Sequence, residues 1–349
     1  MRQHVTKLFS VLIICVLVTF CKSIEPSSSG EKALYPFVKD EQVGFLDDQL
    51  NTEITAQFKF LDGKVWPYTF SEGLAAVNFF GRVGYVNEDG KIKIDPKFDY
   101  AAPFRNGLAL VRNNGQYGFI NQSGDYVIKP QFWMAKSFHD GRAAVQKQKG
   151  GKWGYINRDG EYIIPLTLNG AKNFSNGYAA VQTPEHNEWG YIDTNGNTII
   201  EPKYRKSKSF AEGLSPVLLD FKQWGYINEN GAIILEAQFL EAAPFSEDKA
   251  AVAMPMDKND LQKKKFGYIN KRGSFIIKPQ FDKAYSFKNG RARVKMDGKF
   301  GYIDTEGNLI ANAIYDQAWD FDGKFALVKL DNKFGYINKQ GIFVLEPIS

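Results

Sequence analysis

Beyond the N-terminal segment the 349-residue chain has two histidines, His139 and His186. Neither sits in a His-Glu-x-x-His pattern, which a helical zinc site needs to bring both rings to one face. No Gly-x-Ser-x-Gly elbow or phosphate-cradling glycine loop is present, so the two commonest sequence routes to a nucleophile or a nucleotide site are missing. Both cysteines, Cys15 and Cys21, fall in the first 21 residues, which leaves the body of the chain without thiolates for a metal or a disulfide framework. Asp193-Thr194-Asn195-Gly196-Asn197 has the opening of a calcium loop but not its remaining ligands or distal Glu. The 39 Asp and Glu residues single out no pair. The chemistry-bearing residues thus predict no enzyme, no cofactor and no metal.

The elements that would position any site are announced by aromatic-Gly-aromatic triplets. These are Tyr117-Gly118-Phe119, Trp153-Gly154-Tyr155, Trp189-Gly190-Tyr191, Trp224-Gly225-Tyr226, Phe266-Gly267-Tyr268, Phe300-Gly301-Tyr302 and Phe334-Gly335-Tyr336, with weaker members at Val83-Gly84-Tyr85 and Val43-Gly44-Phe45. From Gly84 onward the glycines are 34, 36, 36, 35, 42, 34 and 34 residues apart. A fixed period near 35 marks a repeat architecture.

Within each unit the triplet reads as a strand, followed by Asn or Asp with Gly three residues later, as in Asn228-Glu229-Asn230-Gly231. That spacing suits a type I turn closed by a left-handed glycine, with the Asn or Asp bonded to its own backbone. A second strand such as Phe275-Ile276-Ile277 runs toward a proline (Pro96, Pro130, Pro202, Pro279, Pro347), where a strand is expected to stop or lie at an edge. Phe98…Ala101…Phe104, Phe132…Ala135…Phe138, Phe239…Ala242…Phe245 and Phe281…Ala284…Phe287 follow; steps of three predict a short 3₁₀ or helical turn. A third strand then opens at Gly, as in Gly107-Leu108-Ala109-Leu110-Val111.

These features predict an all-β chain of tandem three-stranded antiparallel units, about nine over residues 42–349, the first degenerate and the last truncated. Three strands in about 35 residues fall short of a propeller blade's usual four, which favours units stacked as an open curled array; a closed propeller-like toroid is the alternative.

Lys152-Trp153-Gly154-Tyr155-Ile156-Asn157 and Lys299-Phe300-Gly301-Tyr302-Ile303-Asp304, with the Gly turn, the Ile-x-Pro and the Phe that follow in most units, resemble WG-repeat (KWG-type) proteins. The likeness covers about Gln42–Pro347. Departures lie at Leu50, which replaces the turn glycine, and at Pro165, one residue early. The resemblance implies tandem three-stranded β units and frequent export in bacteria, and no reaction or defined ligand.

Residues 1–20 read as a signal peptide: Arg2, His4 and Lys7 precede the largely apolar Leu8–Phe20, too short for the roughly 20 residues of a spanning helix. Val18-Thr19-Phe20-Cys21 resembles a bacterial lipobox, although Phe20 stands where a small residue is usual. Acylation at Cys21 with a linker over 21–41, ordinary cleavage near Ser23, and an uncleaved anchor are the three outcomes. The expected location is the outer membrane or cell surface, held through an N-terminal lipid, with a periplasmic or secreted protein as the alternative. The net charge is +5, and removal of residues 1–20 takes away Arg2 and Lys7, too weak and scattered a balance for a nucleic-acid partner. With 44% apolar and 24% charged residues, the chain is not of the disordered class.

The connection from the Val-ending strand to the next triplet varies most, with gaps of 6, 6, 8, 8, 7, 14, 6 and 6 residues, and in solenoids insertions collect on a binding face. The longest is the candidate partner-binding loop, with Met254, Met256, Lys258, Lys263, Lys264 and Lys265. Gln146–Lys152 is a second basic tip. Trp153, Trp189 and Trp224 are assigned to packing, because Phe and Tyr replace them elsewhere; stacking on sugars is the competing role. The expected function is a non-enzymatic binding or scaffolding module at the bacterial envelope, with an unidentified envelope protein or glycan as partner. The alternatives are an envelope glycan-binding module or glycan-active enzyme, and a structural surface spacer.

Overall fold

The structure is a computed structural model that describes residues 32–60, 68–185, 187–257 and 260–348. Residues 1–31, Cys21 among them, lie outside the described residues, as do His186 and Lys258.

Every regular element among the described residues is a β-strand. Nine antiparallel sheets succeed one another, each from one contiguous stretch of chain; seven have four strands, and the first and sixth have three. The fourth sheet shows the pattern: a two-residue strand Met134–Ala135, then Ala143–Gln146, Trp153–Ile156 and Tyr162–Leu168. The first blade opens with Tyr35–Lys39, ahead of Gln42, and the ninth closes with Phe343–Ile348.

The units form a closed nine-bladed propeller, not the open curled array favoured by strand counting. The missing fourth strand lies inside the Phe-x-x-Ala-x-x-Phe stretch, which forms no helical turn. Its Ala135 pairs with Val145, and Lys136 N bonds to Ala144 O at 2.9 Å. Such a strand is too short to show a period of two.

Closure itself is done by side chains, because no strand crosses from one end of the chain to the other's sheet. The Tyr336 hydroxyl in blade nine donates to Pro36 O in blade one at 2.7 Å. The Tyr35 ring meets Phe325 and Tyr336 edge-on at 5.0 and 5.8 Å, and one apolar cluster holds Val38, Val43 and Phe58 together with Phe325, Leu327 and Phe334.

The same lock recurs at most seams. Where the triplet ends in tyrosine, its hydroxyl donates to a backbone carbonyl of the following blade seventeen residues on: Tyr85 to Ala102, Tyr155 to Lys172, Tyr191 to Lys208, Tyr226 to Ala243, Tyr268 to Tyr285 and Tyr302 to Trp319. Its ring also meets a phenylalanine of the following blade, as in Tyr155–Phe174 at 4.9 Å and Tyr191–Phe210 at 4.8 Å. Each lock combines about 1.5–3 kcal/mol of apolar burial with about 1 kcal/mol from its hydrogen bond.

The triplet glycine is required by a close approach. Tyr117 pairs with Phe132 but Phe119 with Ile128, so the fourth strand bulges over Gly118. A Cβ on Gly118 would stand 2.5 Å from Ile128 O and 2.7 Å from Pro130 N. The prolines do not stop their strands, the first of the two outcomes expected from sequence; Pro130 lies within Tyr126–Phe132. This strand is the outer edge of the blade, and a residue without an N–H discourages pairing with another molecule there. The Asx turns are as read: Asn228 Oδ1 accepts from Asn230 N and Ala232 N, and Gly231 has φ +76.

Candidate functional site

The strand order puts two kinds of turn on two faces. Hairpin tips between second and third strands, and the crossings from a fourth strand to the next first strand, share one face. The Asx turns and the loops between first and second strands share the other.

On the tip face the Pro255–Lys264 region is a hairpin extension and not an irregular loop. The strands Ala250–Asp257 and Asp260–Ile269 are joined in register through Met254↔Lys265 and Pro255↔Lys264. Met254 packs on the blade-seven cluster, whereas Met256 is 62% exposed. The lysines are matched by acids: Lys263 with Asp260 at 3.6 Å, Lys264 with Glu241 at 2.5 Å and Lys265 with Asp282 at 2.6 Å. The extension therefore presents apolar and mixed-charge surface, not an unbalanced cationic run. Elsewhere, His139 lies in a loop on the opposite face, bridged to Arg142, and Lys152 of the basic tip bonds to Asn169.

A second feature, unforeseen from the sequence, lies on the inner edges of blades four to six. Lys136 and Lys172 follow the first-strand residues Ala135 and Ala171, and Lys208 follows Ser207, which holds the same place through an isolated bridge to Val217. Lys136 Nζ donates to Ala171 O of the next blade at 2.8 Å, and Lys172 Nζ donates to Ser207 O. Blades four to six thus touch one another directly along their first-strand side, which makes that side the inner edge of the ring. The opposite, fourth-strand edge exposes Ile92, Tyr162, Ile199 and Ile233 on the outer rim.

Each ammonium stands over the tryptophan of its own blade: Lys136 over Trp153 at 5.4 Å, Lys172 over Trp189 at 4.8 Å and Lys208 over Trp224 at 5.3 Å. The tryptophans are half-buried, one side on their core clusters and the other beneath a lysine. Burial pushes Lys172 down to about 8, with Lys208 and Lys136 adding like-charge repulsion. Burial also lowers Lys136, and lowers Lys208 against the opposing pull of Glu241. The sequence signal was a lysine at one phase of three successive repeats, which motif reading passes over because no neighbouring residue marks it.

A cleft of about 210 Å³ sits at the closing seam, lined by Tyr35, Thr69, Lys288, Trp319, Asp322 and Tyr336. No group of three or more His, Cys, Asp or Glu converges on a metal position among the described residues, and no helix there is long and apolar enough to cross a membrane.

A crystal structure of a eukaryotic initiation factor is similar to the chain at TM-score 0.64 and 12% identity, over 91% of this chain and 96% of that one, which shows a shared fold. The computationally designed Ika8 protein aligns at 0.49 and 8% identity, over 78% and 95% of the two chains. BamB from Moraxella catarrhalis aligns at 0.42 and 10% identity, over 78% and 94%. No curated protein matches. The model of the WG containing repeat matches residues 84–117, 117–153, 153–183, 189–220, 224–254, 266–300 and 300–334. The chain belongs to the WG-containing repeat family.

Proposed function

We propose that this protein is a non-enzymatic binding or scaffolding module, exported to the bacterial envelope and held there by a lipid on Cys21, that meets a protein partner through its tip face. One observation carries the reading: what the repeats have in common is consumed by the fold, and what differs among them collects on that face. The triplet glycine, its tyrosine and the Asx turn each have a packing or backbone duty. The hairpin Ala250–Ile269 has none of these beyond its base, and it carries the exposed Met256. Methionine adapts its shape to irregular apolar surfaces, which suits a docking tip.

The test is a cross-linked pull-down from native envelope with the full chain and with a version in which Asp-Gly replaces Pro255–Lys264. Blade eight supplies the template, since Met296 pairs with Lys299 across Asp297-Gly298, whose φ values of 48 and 82 are those of a two-residue hairpin turn. A partner captured by the first protein and lost by the second supports the reading. Equal capture by both removes the hairpin from it, and capture by neither leaves the surface spacer as the better account. Palmitate labelling that disappears in Cys21→Ser tests the anchor.

A further inference from the structure

We propose that Lys136, Lys172 and Lys208 form a binding site for a polyvalent oxyanion of the phosphate class on the inner edge of blades four to six. The three lysines hold one repeat position in three consecutive blades and run from blade to blade: Lys136 Nζ bonds to Ala171 O, one residue before Lys172, and Lys172 Nζ bonds to Ser207 O, one residue before Lys208. Among the described residues none of the three has a carboxylate within ion-pair distance; the acid that acts on Lys208, Glu241, is itself bound by Lys264.

Other lysines and arginines of the ring do have acid partners, as in Lys299–Asp316 at 2.5 Å and Arg293–Asp320 at 2.6 Å. Partly buried like charges without counter-ions destabilise a fold, so their clustering here calls for a ligand of opposite sign. An ammonium has three donors. Lys136 and Lys172 each spend one on a neighbouring carbonyl, which leaves two apiece, while the tryptophan beneath fixes the position of each charge. Donors spread over three blades suit several oxygens at once, the pattern of a phosphate chain and not of a lone monovalent anion. Blades three, seven, eight and nine place Ala102, Ala243, Tyr285 and Trp319 at this position, so the cation cluster is confined to one arc.

The test is calorimetric titration of the full chain without residues 1–20 at pH 7 and low salt, with tripolyphosphate, inorganic phosphate and poly(glycerol phosphate). Tripolyphosphate is expected to bind, Lys172→Gln to weaken it at least tenfold, and the triple variant Lys136→Gln/Lys172→Gln/Lys208→Gln to abolish it. A control that removes two cations from a hairpin tip, Lys147→Gln/Lys149→Gln, is expected to change affinity less than twofold. The far-UV circular dichroism of the triple variant should match that of the parent at the titration temperature, which separates loss of binding from loss of fold. Binding by tripolyphosphate alone assigns the site to a free phosphate compound, and binding by both long ligands to phosphate carried on a polymer. No binding of tripolyphosphate, or equal binding by the triple variant, overturns the proposal. The Asp-Gly hairpin variant should bind tripolyphosphate as the parent does, so this site and the docking tip stand or fall separately.

Discussion

Alanine at a triplet glycine separates close approach from intrinsic propensity, because the two give opposite signs. On propensity alone, Gly→Ala inside a strand stabilises by about 0.5–1 kcal/mol. At Gly190 the new Cβ would lie 2.4 Å from Ile200 O and 2.7 Å from Pro202 N, and at Gly301 it would lie 2.8 Å from Ala311 O and 2.9 Å from Ala313 N. Ordinary contact begins at 3.4 Å, so the fourth strand must retreat about 1 Å over Gly190 and about 0.6 Å over Gly301. Both obstacles are backbone and have no rotamer to escape into. Overpacking of this kind costs about 1–3 kcal/mol, which places Gly190→Ala at about 3 kcal/mol and Gly301→Ala at about 1–2 kcal/mol of lost stability. Urea unfolding followed by tryptophan fluorescence measures both, with Trp189 next to the altered position. A neutral or stabilising Gly190→Ala, or a larger loss at Gly301, would refute the reasoning that the bulged strand fixes this glycine.

Three further outcomes follow from the same geometry. Tyr336→Phe should lower stability by about 1–3 kcal/mol, since it leaves the buried Pro36 carbonyl unpaired, and amide exchange should rise first in Tyr35–Lys39. Phe80 is 96% exposed at φ +48 in the two-residue turn Phe80-Gly81; Phe80→Asn should raise the melting temperature, by about 0.5–1 kcal/mol of stability, because Asn-Gly is the favoured pair there. Lys172 is held at about 8 in the fold against 10.5 unfolded, so between those values the unfolded chain binds more protons and stability rises with pH. Lys136 and Lys208 add in the same direction. Buried tyrosines such as Tyr85, Tyr155 and Tyr226, raised well above 10 by desolvation, reverse the slope once the unfolded chain ionises. Stability should therefore peak at about pH 9–10, and the rise on the alkaline side of neutrality should shrink in Lys172→Gln; a flat profile in the parent would refute the desolvation of these lysines.

The period, the all-β class, the Asx turns and the tip connections were legible because each rests on local spacing. Asn228 and Gly231 must lie three residues apart for their turn, whatever surrounds them. Closure was not legible, because it depends on pairs such as Tyr336 and Pro36, which are 300 residues apart. Strand counting also misled: Met134–Ala135 is a strand by virtue of its partner Ala143–Gln146, and its sequence spacing suits a helical turn equally well. The hairpin lysines Lys263, Lys264 and Lys265 read as a free cationic run until Asp260, Glu241 and Asp282 are placed beside them. The inner-edge lysines are not legible in the sequence, for the converse reason. Their neighbours in sequence are ordinary, and their lack of acids is a property of the assembled ring.

Closure by the same tyrosine lock that joins internal blades has an electrostatic consequence. A propeller of identical units would have an axis equivalent on all sides, and any axial ligand would sit centrally. Here the inner edge differs from arc to arc. In blades eight and nine Arg293 lies over Tyr285 at 4.2 Å and donates to Asp320 and to Ala318 O, a cation satisfied within the fold. In blades four to six the three ammonium groups have aromatic faces beneath them, and Lys136 and Lys172 have a neighbouring carbonyl as well, none of which carries negative charge. The inner edge thus carries three cations without acid partners in blades four to six and an acid-paired arginine in blade eight. The hairpin Ala250–Ile269 rises from blade seven, the next blade in the ring. The extended hairpin and the lysine arc therefore belong to adjacent blades, although the shared packing of the repeats imposes no such asymmetry.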